Sequence, residues 1–478
     1  MQTSSATSAP TRSYPSICDG NEASNDGQAG NDGQVRNDGP AGAGVSACTE
    51  QKFAEAAVTS AFPATSAFPV TDLVGLPADR ARSDPHGPCL SWPGGNLDNV
   101  GFASAVAATA HAMRTQFRIG LGTVVGVLLS NGPEVITTMF ATWSLGAVLT
   151  PINPALTDDE AGFQLDDSGV VLLIGDSRAE VVADDRGLGF LSAADECFRS
   201  GAEQDGVEQS GAERSSAEPI RDLNVRDSDG SLIVYTSGTS GLPKGCLLNH
   251  SNVSAMVWSI LNGIDFGDDA RSLLVMPLFG GHGLLAGTLS PLMFGGSVHV
   301  LPEFDSRTFW DVVDEVRPTY FSAVPAIYSA LDATERPTVD TSSLRFVLSG
   351  GAPISVDAIT RFESKFGVTV LEGYGPSEFS AVATLNRNDG TRRLGTAGTA
   401  LPGITVAIQN PDGRLLSAGE TGEVVISAQP VTYGFLGRPD VAAETLKDGW
   451  LHTDDVGFLD DDGFLTLVDC ATDTTNCR

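Results

Sequence analysis

Residues 231–246 read SLIVYTSGTSGLPKGC, an apolar run followed by glycines, serines and threonines that close on a lysine. Such a loop, set between a strand and a helix, offers backbone N–H groups, hydroxyls and a helix N-terminus, all suited to a polyphosphate. Lys244 adds a mobile positive charge. The Walker P-loop needs Gly-Lys followed by Ser or Thr; here Pro243 precedes Lys244 and Gly245 follows it, so that pattern fails. A flexible linker is the plain alternative, but linkers rarely follow a run like Leu232, Ile233, Val234 and Tyr235 or end in Pro-Lys-Gly.

The elements that must hold this loop are legible around it. TVVGVLLSN (123–131) and GVVLLIG (169–175) read as buried strands, with a helix between them over Pro133–Ser144. Further strands are expected at SLIVYTS, SLLVMP, GSVHVLP, TYFSAVP, LRFVLSG and VTVLEGYG. Over 355–366, Ala358, Phe362 and Phe366 share one helical face, with Ser355 as N-cap. Strands alternating with helices predict an α/β fold, a mostly parallel sheet covered on both faces. From about residue 395 the texture changes to short strands with tight turns, PDG at 411–413 and DDG at 461–463, which predicts a small antiparallel, barrel-like subdomain.

At 478 residues the chain exceeds what one hydrophobic core usually organises. Residues 1–70 and about 200–220 are rich in small and polar residues, with the near-repeat NDGQAGNDGQVRNDGP at 25–40, and are expected to be a disordered extension and a surface insertion. The net charge of -32, from 60 acidic and 28 basic residues, argues against nucleic acid and anionic lipid as partners and favours a small-molecule enzyme. The lysines are few: Lys52, Lys244, Lys365 and Lys447. Seven scattered cysteines without a CxxC pair suggest neither a disulfide framework nor a zinc site, and fit a reducing cytoplasm. The N-terminus shows no secretory pattern. Residues 272–302 lack any charged side chain, but Pro277, Pro291, His282 and several glycines interrupt them, so a buried core of strands and turns is expected instead of a membrane span.

Several stretches together resemble the adenylate-forming superfamily of acyl-CoA synthetases and adenylation domains. YTSGTSGLPKG is similar to the phosphate loop of that family. In the same order, GAVLTPINP (146–154), MPLFGGHGL (276–284), VPAIY (324–328), SGGAPIS (349–355), GYGPSE (373–378), GRPDVAAETLKDGWLHTDD (437–455) and GFLTLV (463–468) are similar to family segments. The resemblance implies that a carboxylate attacks the α-phosphorus of ATP to give an acyl-adenylate and pyrophosphate, after which a thiol, usually coenzyme A, displaces AMP. Catalysis of the first step is largely charge neutralisation and alignment.

Carried over by residue, the resemblance implies that Thr236, Ser237, Gly238, Thr239, Ser240, Gly241 and Lys244 cradle the β- and γ-phosphates. Glu378 would bind Mg²⁺, a hard cation with oxygen ligands, and Ser377 would hydrogen-bond near the α-phosphate. Gly351, Ala352 and Pro353, with Tyr374, would sandwich adenine, and Asp455 would accept from the ribose hydroxyls. His282 and Gly373 would border the acid substrate. His250, at the start of the next helix, reads as a cap or a satisfied core residue.

Three departures from the family pattern stand out. Gly280 occupies a common histidine position, so His282 is the nearest imidazole; GHGLLAG with Phe309 and Trp310 resembles members that use short or dicarboxylic acids such as oxalate. There His282 is either an imidazolium partner for a second carboxylate or a structural residue beside the pocket. Asp454 replaces a glycine, which implies strain if that position has positive φ, and weaker nucleotide binding. After GFLTLV the family's Gly-Arg and hinge are replaced by residues 469–478, a hinge remnant with Cys470 in place of the arginine and Asp473 near the hinge position. The family's C-terminal mobile domain, with its α-phosphate lysine, is expected to be absent. Losing such a contact costs on the order of 10²–10³ in rate. The expectation is thus an AMP-forming acid–thiol ligase, impaired or dependent on a separate domain. The alternatives are a non-catalytic nucleotide-binding remnant and an adenylation domain that loads a carrier protein.

Overall fold

The computed structural model describes residues 72–199, 225–236, 243–335, 339–376, 378 and 381–468. The tracts expected to be low in order, 1–70 and 200–220, and the tail 469–478 lie outside the described residues.

The first sheet runs, in spatial order, Gly434–Phe435, Lys244–Asn249, Gly230–Thr236, Val148–Ile152, Val124–Leu128, Val170–Gly175 and Gly189–Ser192. From Gly230–Thr236 onward its pairings are parallel, and Val124–Leu128 and Val148–Ile152 are buried at every position, as strands covered on both faces must be. A second, larger sheet runs Thr399–Ala400, Thr384–Leu385, Thr369–Tyr374, Phe346–Ser349, Tyr320–Ala323, Arg271–Leu274, Ser297–Val300, Pro88–Trp92 and Gly95–Asp98. Its central strands are parallel and its edges antiparallel. The third sheet is antiparallel throughout, with Thr405–Gln409, Gly422–Ser427, Trp450–Leu459 and Leu446–Lys447 in order and Leu465–Leu467 added on Trp450–Leu459. The α/β class and the antiparallel subdomain are therefore as the sequence predicts.

Two expected helices form where their signals lie. Pro133–Ser144 starts on a proline and buries every residue but Glu134, as a helix apolar on all sides should. Its Trp143 indole donates to the carbonyl of Ser231 at 2.8 Å, tying it to the strand that leads into the glycine-rich loop. Val356–Phe366 is capped by Ser355, whose hydroxyl accepts from the Ala358 N–H at 3.2 Å. It buries Ile359, Phe362 and Phe366 against the larger sheet.

Two expectations need correction. The glycine-rich loop does not enter a helix. Thr236 and Lys244 face each other across an antiparallel pair, so the loop closes a hairpin. Gly245, Cys246, Leu247 and Leu248 are buried and complete the sheet first. Only then does Asn249, in a capping box with Asn252, start the helix His250–Gly263. Residues 272–302 are likewise more than strands and turns. Between Arg271–Leu274 and Ser297–Val300 lie a π-helical segment, His282–Leu289, and a short helix, Ser290–Met293. An unbroken apolar stretch has no period from which helix and strand can be told apart. The hydroxyls of Thr288 and Ser290 donate to carbonyls five residues back, at 2.9 and 2.8 Å. Gly283 admits the close approach at the start, since a Cβ there would lie 2.3 Å from the Pro277 carbonyl oxygen. No helix among the described residues is long and apolar enough to cross a membrane.

His250 proves to be neither cap nor satisfied core residue. It is buried edge-on to Trp143, at 5.6 Å between ring centroids, and neither ring nitrogen has a hydrogen-bond partner among the described residues. Burial pulls its imidazole down to about 4. The folded chain thus prefers the neutral ring, so His250 contributes stability that is complete above the unfolded value near 6.5 and is lost as pH falls toward 4. His250→Phe keeps the ring contact and removes the titration. Thermal unfolding from pH 7 to pH 4 should show the wild-type melting temperature falling more steeply than that of the variant; parallel curves would refute the assignment.

Candidate active site

The three sheets converge on one locality. From the first come Thr236 and Lys244, the paired residues at the base of the hairpin loop. The Thr236 hydroxyl lies 3.5 Å from Glu378 Oε1, which sits in the turn after Thr369–Tyr374 of the second sheet. Beneath them, burial and then the Glu378 carboxylate push the Cys246 thiol well up. Tyr235 anchors the hairpin sideways, its hydroxyl donating to Asp167 Oδ2 at 2.7 Å and lying 3.2 Å from the Gln164 carbonyl. Ser237, Gly238, Thr239, Ser240, Gly241 and Ser377 lie outside the described residues. Lys365 is away from this locality, held by the carbonyls of Asp332 and Thr334, and Lys447 is exposed on the short strand Leu446–Lys447.

From the second sheet, Gly351, Ala352 and Pro353 emerge exposed beyond the strand Phe346–Ser349. Gly351 has φ +79°, a left-handed turn that suits glycine. Tyr374 ends the adjacent strand, and its hydroxyl donates to Asp455 Oδ2 at 2.6 Å. Burial and that carboxylate hold the phenol well above its usual range, and so protonated. Asp455 belongs to the antiparallel sheet, where the ladder shifts register opposite Glu423. Asp454 takes φ +61° there, the left-handed backbone that its replacement of a glycine raised as a concern. Glu423 steadies the bend, accepting from the Asp454 N–H at 3.3 Å and pairing with His452 Nδ1 at 3.0 Å.

A cavity of about 30 Å³ opens beside these residues, bordered by His282, Gly350, Gly351, Gly373, Tyr374 and Gly375, with apolar walls beyond. His282 and Gly373 are thereby brought next to Gly351 and Tyr374. His282 bonds through Nε2 to the Ser322 hydroxyl, and burial lowers its imidazole to about 4. Burial therefore disfavours the imidazolium form of His282 in the ligand-free chain.

One residue escaped the sequence reading. Glu372 precedes Gly373 and stands in register with Ser349. Burial raises its carboxyl to about 7, against a bond from the Ile354 backbone that lowers it. Its Oε2 and the Ser349 hydroxyl are buried without a partner among the described residues. The signal was a lone acid in the otherwise apolar run VTVLEGYG.

The AMP-binding enzyme model matches residues 78–436. This chain belongs to the AMP-binding enzyme family. It is a member of the acyl-CoA ligase type, an acid–thiol ligase. A feruloyl-CoA synthase from Amycolatopsis sp is 34% identical over 401 residues, 83% of this chain and 78% of that protein. An oxalate–CoA ligase from Arabidopsis thaliana is 31% identical over 408 residues, again 83% and 78%. Among solved structures, the o-succinylbenzoate coenzyme A synthetase of Bacillus subtilis in complex with ATP and a magnesium ion superimposes with a TM-score of 0.70 at 25% identity. That match covers 83% of this chain and 79% of the other. Within this AMP-binding enzyme, Gly351 and Tyr374 border the cavity, Asp455 is joined to Tyr374 through its hydroxyl, and Thr236, paired with Lys244, reaches Glu378.

Two outcomes are expected from this geometry. Glu372→Gln removes a carboxyl that the fold prefers neutral, so the variant should gain stability relative to wild type as pH rises from 4.5 through 7. Chemical denaturation at both ends of that window measures it, and a pH-independent difference contradicts the burial argument. Asp454→Gly relieves a left-handed backbone but frees the unfolded chain, so stability should change by less than about 1 kcal/mol. Loss of the negative charge beside Asp455 should tighten AMP binding several-fold by calorimetry, and unchanged or weaker binding would count against the charge argument.

Proposed function

We propose that this AMP-binding enzyme activates a carboxylic acid as its acyl-adenylate and transfers the acyl group to coenzyme A. The observation that carries the reading is the shared border of the cavity. Gly351 and Tyr374, assigned to adenine, and His282 and Gly373, assigned to the acid, line the same space. A carboxylate seated there would lie beside the nucleotide, which is the alignment the first step needs.

Lys244 and the hairpin loop neutralise the outer phosphates, so that pyrophosphate leaves as a bound anion. Asp455 accepts from the ribose while fixing the Tyr374 ring through its hydroxyl. Among the described residues, no group of three His, Cys, Asp or Glu is placed to hold a metal alone. Glu378 would hold Mg²⁺ through its carboxylate, the kind of oxygen donor that this hard cation takes. Mg²⁺, when bound, supplies charge neutralisation between phosphates.

Purified protein should bind ATP–Mg²⁺ and catalyse pyrophosphate exchange that depends on an added carboxylic acid. Lys244→Ala and Glu378→Ala should each weaken ATP–Mg²⁺ binding by roughly tenfold or more, the scale of a lost charged contact. Unchanged affinity in both variants would sink the site assignment.

A further inference from the structure

The walls of the cavity decide what kind of acid it can take. Beyond the glycines, its depth is formed by Ile260, Ile264, Ala286, Leu348, Val382 and Leu385. No Lys, Arg, Asp or Glu is among the described residues that line it. Three polar side chains reach it. The Tyr374 hydroxyl is committed to Asp455, and the Ser349 hydroxyl is neutral. His282 is held through Nε2 by Ser322, whose own hydroxyl donates onward to the Leu348 carbonyl at 3.5 Å. Nδ1 lies on the ring edge facing Gly350.

A second carboxylate in this space would give up its water and find no cationic side chain among the described residues that line it. Burying an unpaired ion in that way is strongly unfavourable. An uncharged hydrocarbon group instead gains from every wall it covers. We propose that the cavity selects acids with an uncharged, apolar acyl group and rejects those that carry a second carboxylate, a selection that rests on the adenylation reading for the position of the acid. The likeness of residues 281–287 to enzymes for dicarboxylic acids, and the relationship to an oxalate–CoA ligase, do not extend to this chemistry. His282 is the one imidazole among the described lining residues, and burial works against the charge that would make it a carboxylate receptor.

Paired non-reactive probes test the proposal on the full chain without requiring turnover. N-butyryl and N-succinyl sulfamoyl-adenosine share a four-carbon acyl chain, but only the second ends in a carboxylate. By calorimetry at pH 7.5 the butyryl probe should bind at least about 100-fold more tightly than the succinyl probe, the scale of one uncompensated buried charge. Equal or tighter binding of the succinyl probe would overturn the proposal. A butyryl probe that binds no better than unacylated sulfamoyl-adenosine would also overturn it, because the cavity then takes no acyl group. Failure of AMP and all three nucleosides to bind would instead remove the adenylation reading, and the proposal with it.

Discussion

The hydrogen bond from the Tyr374 hydroxyl to Asp455 joins the larger parallel sheet to the antiparallel one. The geometry of the proposed nucleotide site depends on it. Tyr374 alone is an aromatic ring at the end of a strand, and Asp455 alone is an exposed acid on a bent ladder. Bonded, they set the angle between a flat ring and an anionic acceptor, which complement the flat base and the hydroxyl donors of a nucleoside. The contact of Thr236 with Glu378 does the same between the two parallel sheets. Each pair spans a large sequence separation, so the site exists only when the sheets have docked.

Much of this was legible in the sequence, for identifiable reasons. Buried strands such as Val124–Leu128 announce themselves by composition, the helix Pro133–Ser144 by its proline start, and Val356–Phe366 by Ser355 and the spacing of its aromatics. What failed was local direction. The residues after Lys244 look like a helix start because Asn249 and Asn252 form a genuine cap, but it lies beyond a strand that only pairing across the loop reveals. In residues 272–302 uniform hydrophobicity erased the period, and the π-helical turns rest on hydroxyl contacts with no sequence rhythm. Glu372 was missed because an acid before a recognised motif reads as punctuation until its burial is known. Asp454 was legible because its meaning depends on one backbone angle, and the replaced glycine pointed to that angle.

A protein with a net charge of -32 is an unpromising receptor for a polyanion. Salt resolves part of the difficulty, since exposed charges more than about 8 Å away are largely screened at physiological ionic strength. What matters is the near field. There Lys244 stands at the base of the loop while the long-range potential contributes little. Many acids are also occupied locally, as Asp305 is by Arg307 and Glu363 by Arg392. An acidic exterior and the proposed short-range contact at Lys244 are thus compatible in one chain.

The hairpin has a mechanical corollary. Lys244 begins the strand Lys244–Asn249, which runs through its cap into the helix His250–Gly263 and on to Ile264, and Ile260 and Ile264 are walls of the cavity. The lysine proposed for the phosphates and two walls of the cavity therefore sit on one uninterrupted strand–helix segment, so a change in that segment bears on both proposed subsites at once.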